Sequence, residues 1–327
     1  MKFIKEYILK DFSKICSQYD KKEDFRISAD SSNFEYILDE LGIHNEAFDK
    51  FDLSNQNEIK EKLNGELFFL ELFSNINSNL FITVEESIAN KKEIITWNHE
   101  NENRSPTLVF LYLLSIQNNF LKSIRKLVLS GFCYQVQILI RGYIEVADIL
   151  NAFLGDKEFC LKYSKAYDVD GKINDRQIRK LYEQYIKPSK IREIINNALD
   201  SVNFNKDFVD ILEPLKKDYY YNHLSNFVHG EPMSVIYDVF PYDTDLKEWD
   251  YVPHGGYSSA LRYTTTHFIF WCIFPFLYNT GFLLRKHDYE SKVHDSKKVK
   301  IIEYKFYVFR NLFIKYYFDL RKENNYS

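Results

Sequence analysis

Residues 134–150 read YQVQILIRGYIEVADIL, and the placing of the polar letters in that run decides the fold. Successive residues of a helix advance by about 100°, so Gln137, Arg141, Glu145 and Asp148 fall within an arc of roughly 80°. Nearly every other position is apolar. A surface helix carries a much broader polar face, so a stripe this narrow, flanked by Ile138 and Ile144, predicts a helix surrounded by protein. Arg141 and Glu145 stand at i and i+4, close enough to pair and to hold the guanidinium fork in one orientation.

A second run, DYYYNHLSNFVH at 218–229, has the same character. Asp218, Asn222, Ser225 and His229 share an arc of roughly 60°, while Tyr220, Leu224, Phe227 and Val228 point elsewhere. A buried polar group left unpaired costs about 1 to 3 kcal/mol, so two such stripes are satisfied most cheaply by facing each other. The expectation is a pocket between Arg141 and His229. Asp148 and Asp218 are expected to be ordinary solvated carboxylates.

The rest of the 327 residues supports a helical frame. Hydrophobic residues make up 45% and aromatics 17%, with only ten Gly and seven Pro, a profile of packed helices rather than a turn-rich β fold. Helical spacing runs over 1–20, 56–80, 107–129, 133–154, a series of shorter pieces from 157 to 200, and then 204–229, 257–285 and 297–322. Residues 90–106, charged and Asn-rich up to Pro106, read as a linker or long loop. The predicted organisation is an all-α helical bundle, with an N-terminal helical subdomain and linker over 1–100 and a helical core over 101–327. The Pro- and Gly-containing stretch 230–256 reads either as a lid or as a surface connection with a short hairpin near 234–239.

Several chemistries are excluded. A net charge of −4 makes no polycation, so nucleic-acid binding would need a local basic patch. Cys16, Cys133, Cys160 and Cys272 show neither CxxC nor Cys/His spacing, which indicates no zinc site and no disulfide framework. No phosphate-binding Gly loop, HExxH or GxSxG occurs. In DVDGKIND, placing Gly171 sixth puts Ala166 first and Gln177 twelfth, where a calcium loop needs carboxylates. Charges interrupt the apolar residues of the amino terminus, which argues against a signal peptide and for a cytoplasmic protein. Residues 263–284 lack charge and are long enough to span a bilayer, but Thr264, Thr265, Thr266, His267, Pro275, Asn279 and Gly281 make a buried core helix the preferred reading over a membrane segment. His254 and His267 have no partner identifiable from spacing.

The pocket's chemistry follows from its residue types. Arg141 can hold a phosphate bidentately, and an imidazole such as His229, with an ordinary pKa near 6.5, suits proton transfer. Those are the parts of metal-independent RNA cleavage. The competing reading is a satisfied polar network that sets helix register. The C-terminal residues Lys297, Lys298, Lys300, Lys305, Arg310 and Lys315, with Tyr304, Tyr307 and Tyr316 available for stacking, read either as an RNA-facing surface or as a solvated helix face.

Leu139, Arg141 and Glu145 form an L-x-R-x3-E helix, and Leu224, Ser225 and His229 a later LS-x3-H. Over about residues 107–285 this pair of motifs resembles a group of bacterial helical proteins similar to the HEPN superfamily. The superfamily signature sets an Arg a few residues ahead of the His on one helix; here those positions are Asn222, His223 and Leu224, leaving Arg141 of another helix to substitute. The resemblance implies an antiviral-defence or toxin protein that is commonly dimeric and cleaves RNA without metal or cofactor. In it Arg141, Glu145 and His229 are catalytic, Tyr221, Asn222 and Ser225 contact substrate, and a partner protein of the same defence system accompanies a homo-oligomer; the polar residues of 263–284 make a membrane the less expected partner. The alternatives are a non-catalytic binding or sensor protein and a membrane-acting abortive-infection effector.

Overall fold

The computed structural model describes residues 50, 52–97, 105–166, 187–203, 224, 242–243, 248–249, 255–287 and 296–323. The chain divides into two compact units, Met1–Asn57 and Glu58–Ser327. In the first, the described residues 50 and 52–57 are helical. The second holds the bundle.

Its elements are α1 (Asn64–Ala89), α2 (Pro106–Leu129), α3 (Cys133–Gly155), α4 (Lys157–Ala166), α5 (Pro188–Ser201), β1 (Tyr242–Asp243), β2 (Glu248–Trp249), α6 (Ser259–Arg285) and α7 (Ser296–Glu323). The fold is all-α apart from the two-residue antiparallel ladder, which pairs Tyr242 with Trp249 and Asp243 with Glu248. The hairpin expected at 234–239 and the helices expected over 1–20 and 204–229 fall outside the described residues, Leu224 excepted.

Local chemistry explains the boundaries. Pro106 opens α2 and Pro188 opens α5 at the first turn, where a missing N–H costs nothing. The Asp156 carboxylate accepts from the Phe159 N–H at 2.7 Å and so caps α4. Ser258 does the same for α6, accepting from the Leu261 N–H at 3.0 Å.

Side-chain pairs give the helix directions. α1 and α2 are antiparallel, with Asn77 donating to Asn118 at 2.7 Å and Arg125 to Glu71 at 2.8 Å. α2 turns at Ser130 and Gly131 into α3, and Gly142 has no Cβ to strike the Phe120 ring. α3 and α6 run parallel: Gln137 meets Thr264 near their starts, Tyr143 meets Phe268 edge-on at 5.1 Å, and Lys286 donates to the Gly155 carbonyl at 2.5 Å near their ends. α7 lies antiparallel to α1, through Phe69 with Phe313 and Lys298 with Glu86, and packs on α6 through Phe276 with Phe306.

α3 is therefore enclosed by α2, α4, α5 and α6, as its narrow polar stripe required. α6 is packed by α3, α1 and α7. It and α1 are each long and apolar enough to cross a membrane, and the apolar run of α6 is buried inside the bundle, with Leu261, Phe268, Ile269, Cys272, Phe282 and Leu283 at most 1% exposed.

Two features bear on how this unit is organised. The boundary between units falls at 57/58, and α1 packs on α2, α6 and α7 as part of the larger unit, because Leu70, Phe73, Ile76, Leu80 and Val84 turn one full apolar face to those helices. Residues 90–97 run as the expected loop, but its middle is buried. Ile94 and Ile95 are each 1% exposed, and both of their N–H groups donate to the Thr107 hydroxyl at 3.1 Å. Burying two isoleucines and satisfying both amides docks this strand of chain against the start of α2.

Candidate functional site

The polar stripe of α3 forms but divides. Gln137 is buried, and its amide donates to the Thr264 hydroxyl of α6 at 3.4 Å and to Cys133 at 3.5 Å. Its partner thus comes from α6. Asp148 is 3% exposed and engaged in an interaction. The expectation of a solvated carboxylate there is overturned, because α3 is covered on that side by packed helices.

Between these two internal groups the stripe reaches the surface. Arg141 Nε donates to Glu145 Oε1 at 3.1 Å, with the Arg side chain 23% exposed and the Glu side chain 50% exposed. The pair therefore forms as the i, i+4 spacing predicts. Glu145 ties down one edge of the fork, while Nη1 is closed off from solvent and has no hydrogen-bond partner among the described residues.

Tyr221, Asn222, Ser225 and His229, with Asp218, lie outside the described residues, as does His254. Of the two motif leucines, Leu224 is helical and 1% exposed, and Leu139 packs against the core. Both serve packing. The His267 ring lies tilted against Tyr263, with centroids 4.0 Å apart.

Two polar centres escape the stripe analysis. Glu66 is 1% exposed, lies 3.5 Å from Arg262 Nε, and accepts from the Thr266 hydroxyl at 3.5 Å. Arg262 also donates to the Lys62 carbonyl and lies 5.4 Å from the centre of the Tyr257 ring. The sequence did carry a signal: on a helical wheel Glu66 sits in the middle of the face made by Ile59, Leu63, Leu70 and Phe73, the one charge in an apolar stripe.

The second centre is at the end of α6, where three consecutive residues grip carbonyls that helices leave unpaired at their C-termini. Arg285 donates to Val202 O at 3.2 Å, Lys286 to Gly155 O at 2.5 Å, and His287 Nε2 bonds Leu154 O at 3.1 Å. His287 Nδ1 accepts from the Thr96 N–H at 3.3 Å, and its ring meets Trp97 at 4.3 Å. With Nδ1 accepting, Nε2 must carry the proton, so the ring is a neutral tie between the 94–97 segment and α3. No sequence pattern marks it.

Burial holds the His287 imidazole down at about 4, against the opposing pull of the Leu154 carbonyl. Above pH ~6.5 the ring is neutral folded or unfolded, and the stability is complete. As pH falls from about 6.5 to about 4, the unfolded chain takes up a proton that the folded chain refuses, and roughly 3 kcal/mol is lost. Thermal melts between about pH 7 and pH 4.5 should therefore show a steeper fall for the wild type than for His287→Gln, whose amide accepts and donates without titrating. Equal slopes would remove His287 as the cause.

Among the described residues no cluster of three His, Cys, Asp or Glu is placed to hold a metal. Cys133, Cys160 and Cys272 are buried and form no disulfide among the described residues. Burial pushes the Cys160 and Cys272 thiols up, and likewise the Tyr143 hydroxyl that faces Cys272, so these groups stay protonated and pack rather than attack. A hollow of about 500 Å³ lies along α5, and its described lining residues are Ser189, Arg192, Glu193, Asn196 and Asn197. No family model matches this chain, and no curated protein or solved structure is significantly similar to it.

Proposed function

We propose that this chain is a HEPN-like defence or toxin protein that cleaves RNA without a metal, with Arg141 as the phosphate ligand. One observation supports the reading: Arg141 is tethered through Nε to Glu145, while Nη1 is shut away from water and meets no acceptor among the described residues. An unpaired buried donor costs about 1 to 3 kcal/mol, and more when charged, a cost that a bound phosphate oxygen removes.

In the reaction a base takes the 2′-hydroxyl proton, the 2′-oxygen attacks phosphorus, and the bond to the 5′-oxygen breaks as that oxygen gains a proton. His229 is assigned one of the two proton transfers. Arg141 offsets the charge that builds on the phosphorane, Glu145 orients Arg141, and Tyr221, Asn222 and Ser225 position the strand. RNA is the partner, and a homo-oligomer in the cytoplasm the expected form.

A second reading, a non-catalytic helical scaffold, rests on Gln137 and Asp148, which lie on the same stripe and are internal to the bundle.

Induced expression followed by total-RNA analysis separates the two. Wild type should fragment RNA, and Arg141→Ala and His229→Ala should each lower cleavage by about 10²- to 10³-fold with little change in melting temperature. Intact RNA with the wild type overturns the nuclease reading. A sharp fall in melting temperature for Arg141→Ala with fragmentation unchanged assigns the pair to structure.

A further inference from the structure

α7 has two apolar faces where a helix at the edge of a bundle needs one. The inner face, Val299, Ile302, Phe306, Phe309 and Phe313, is at most 3% exposed and packs on α1 and α6. The outer face carries Ile301, Tyr304, Val308 and Leu312, exposed by 44%, 68%, 38% and 49%. These four lie within an arc of roughly 80°, turned well away from the inner face. Tyr307 and Phe318, 56% and 54% exposed, widen the stripe on one side. Exposed apolar residues scattered singly need no explanation, but an aligned row on one helix does.

The charge on this helix narrows the occupant. Residues 296–323 hold eight Lys or Arg against three Asp or Glu, in a chain whose net charge is −4. Lys305 and Lys315 are exposed along the row, and Arg310 lies 5.2 Å from the centre of the Tyr307 ring. A second copy of the chain pairing through the same face would bring cationic flanks against cationic flanks. Four side chains on one helix also fall short of the roughly 800 Å² per partner typical of a stable interface. RNA would reward the tyrosines and lysines but gains nothing from Ile301, Val308 and Leu312.

We infer that the outer face of α7 docks on an anionic lipid surface. Such a surface takes aliphatic side chains at the boundary of its acyl region, tyrosines at the headgroup level, and lysines whose stems lie along the apolar stripe while their ammonium groups reach lipid phosphates. The buried helix α6 is not the membrane-facing element in this arrangement. Tyr316, among the residues the sequence offered for stacking on RNA, instead faces inward, 5.1 Å from Phe69.

The test is co-sedimentation of the full chain with vesicles of pure phosphatidylcholine and with vesicles about one quarter phosphatidylglycerol. Binding should favour the anionic vesicles by at least about tenfold. Lys305→Gln with Lys315→Gln should weaken it by roughly thirtyfold, at about one kcal/mol per basic residue near a charged surface. Val308→Asp with Leu312→Asp, both at exposed positions, should abolish it while the melting temperature stays within a degree or two. Three outcomes overturn the inference: no binding of wild type to anionic vesicles, equal binding to both compositions, or binding that survives the aspartate pair. RNA binding or dimerisation lost in these variants, without vesicle binding, would assign the face to that partner instead.

Discussion

Gly131→Ala is expected to destabilise the larger unit by roughly 3 to 5 kcal/mol, among the largest effects of any single methyl group in the protein. The conformation is the first cause. Gly131 has φ of +73°, a left-handed backbone that costs an L-residue about 1 to 2 kcal/mol. Space is the second. A Cβ at Gly131 would stand 2.1 Å from Gly256 N and 2.6 Å from Gly256 O, and backbone atoms cannot swing aside as a side chain can. The return segment is equally tight: Gly255 has φ of +79°, and a Cβ there would meet Ser130 O at 2.4 Å.

This crossing joins the α2–α3 turn to the residues just before the Ser258 cap, so it sets where α6 begins beside α3. Urea denaturation should show the loss as a lower midpoint. Gly131→Ala with wild-type stability would mean that the two segments do not cross this closely.

Phe73→Ala should cost roughly 4 kcal/mol. Phe73 is fully buried, edge-on to Phe276 at 5.7 Å and tilted against Phe309 at 5.6 Å, so one ring holds α1 to both α6 and α7. Removing it deletes the apolar contacts and leaves a cavity that three helices cannot all close. Phe73→Leu should recover much of the loss. Phe68→Ala on the same helix, where the ring is 57% exposed, should stay within about 0.5 kcal/mol of wild type. Comparable losses at Phe68 and Phe73 would contradict the placing of the α1–α6–α7 core.

Local chemistry was enough to define the helices and the α3 environment. Pro106, Gly131, Asp156 and Ser258 mark ends through first-turn tolerance, backbone conformation and capping, all of which act within a few residues. The 3.6-residue period similarly identified α3 as a helix enclosed by protein and placed Arg141 four residues before Glu145. Such signals are local in the chain, and tertiary packing has only to leave them undisturbed.

What the chain itself determined, then, is the all-α class, the ends of α2, α3, α6 and α7 to within about two residues, and the Arg141–Glu145 pair. Tertiary structure alone decided that Gln137 bonds α6, that Asp148 is internal, that α1 belongs with the larger unit, and that His287 ties residues 94–97 to the end of α3. The physical reason is that a polar group's cost depends on which atoms happen to surround it. A partner as far away in the chain as His287 is from Thr96 is brought in by packing and leaves no local period or spacing to read.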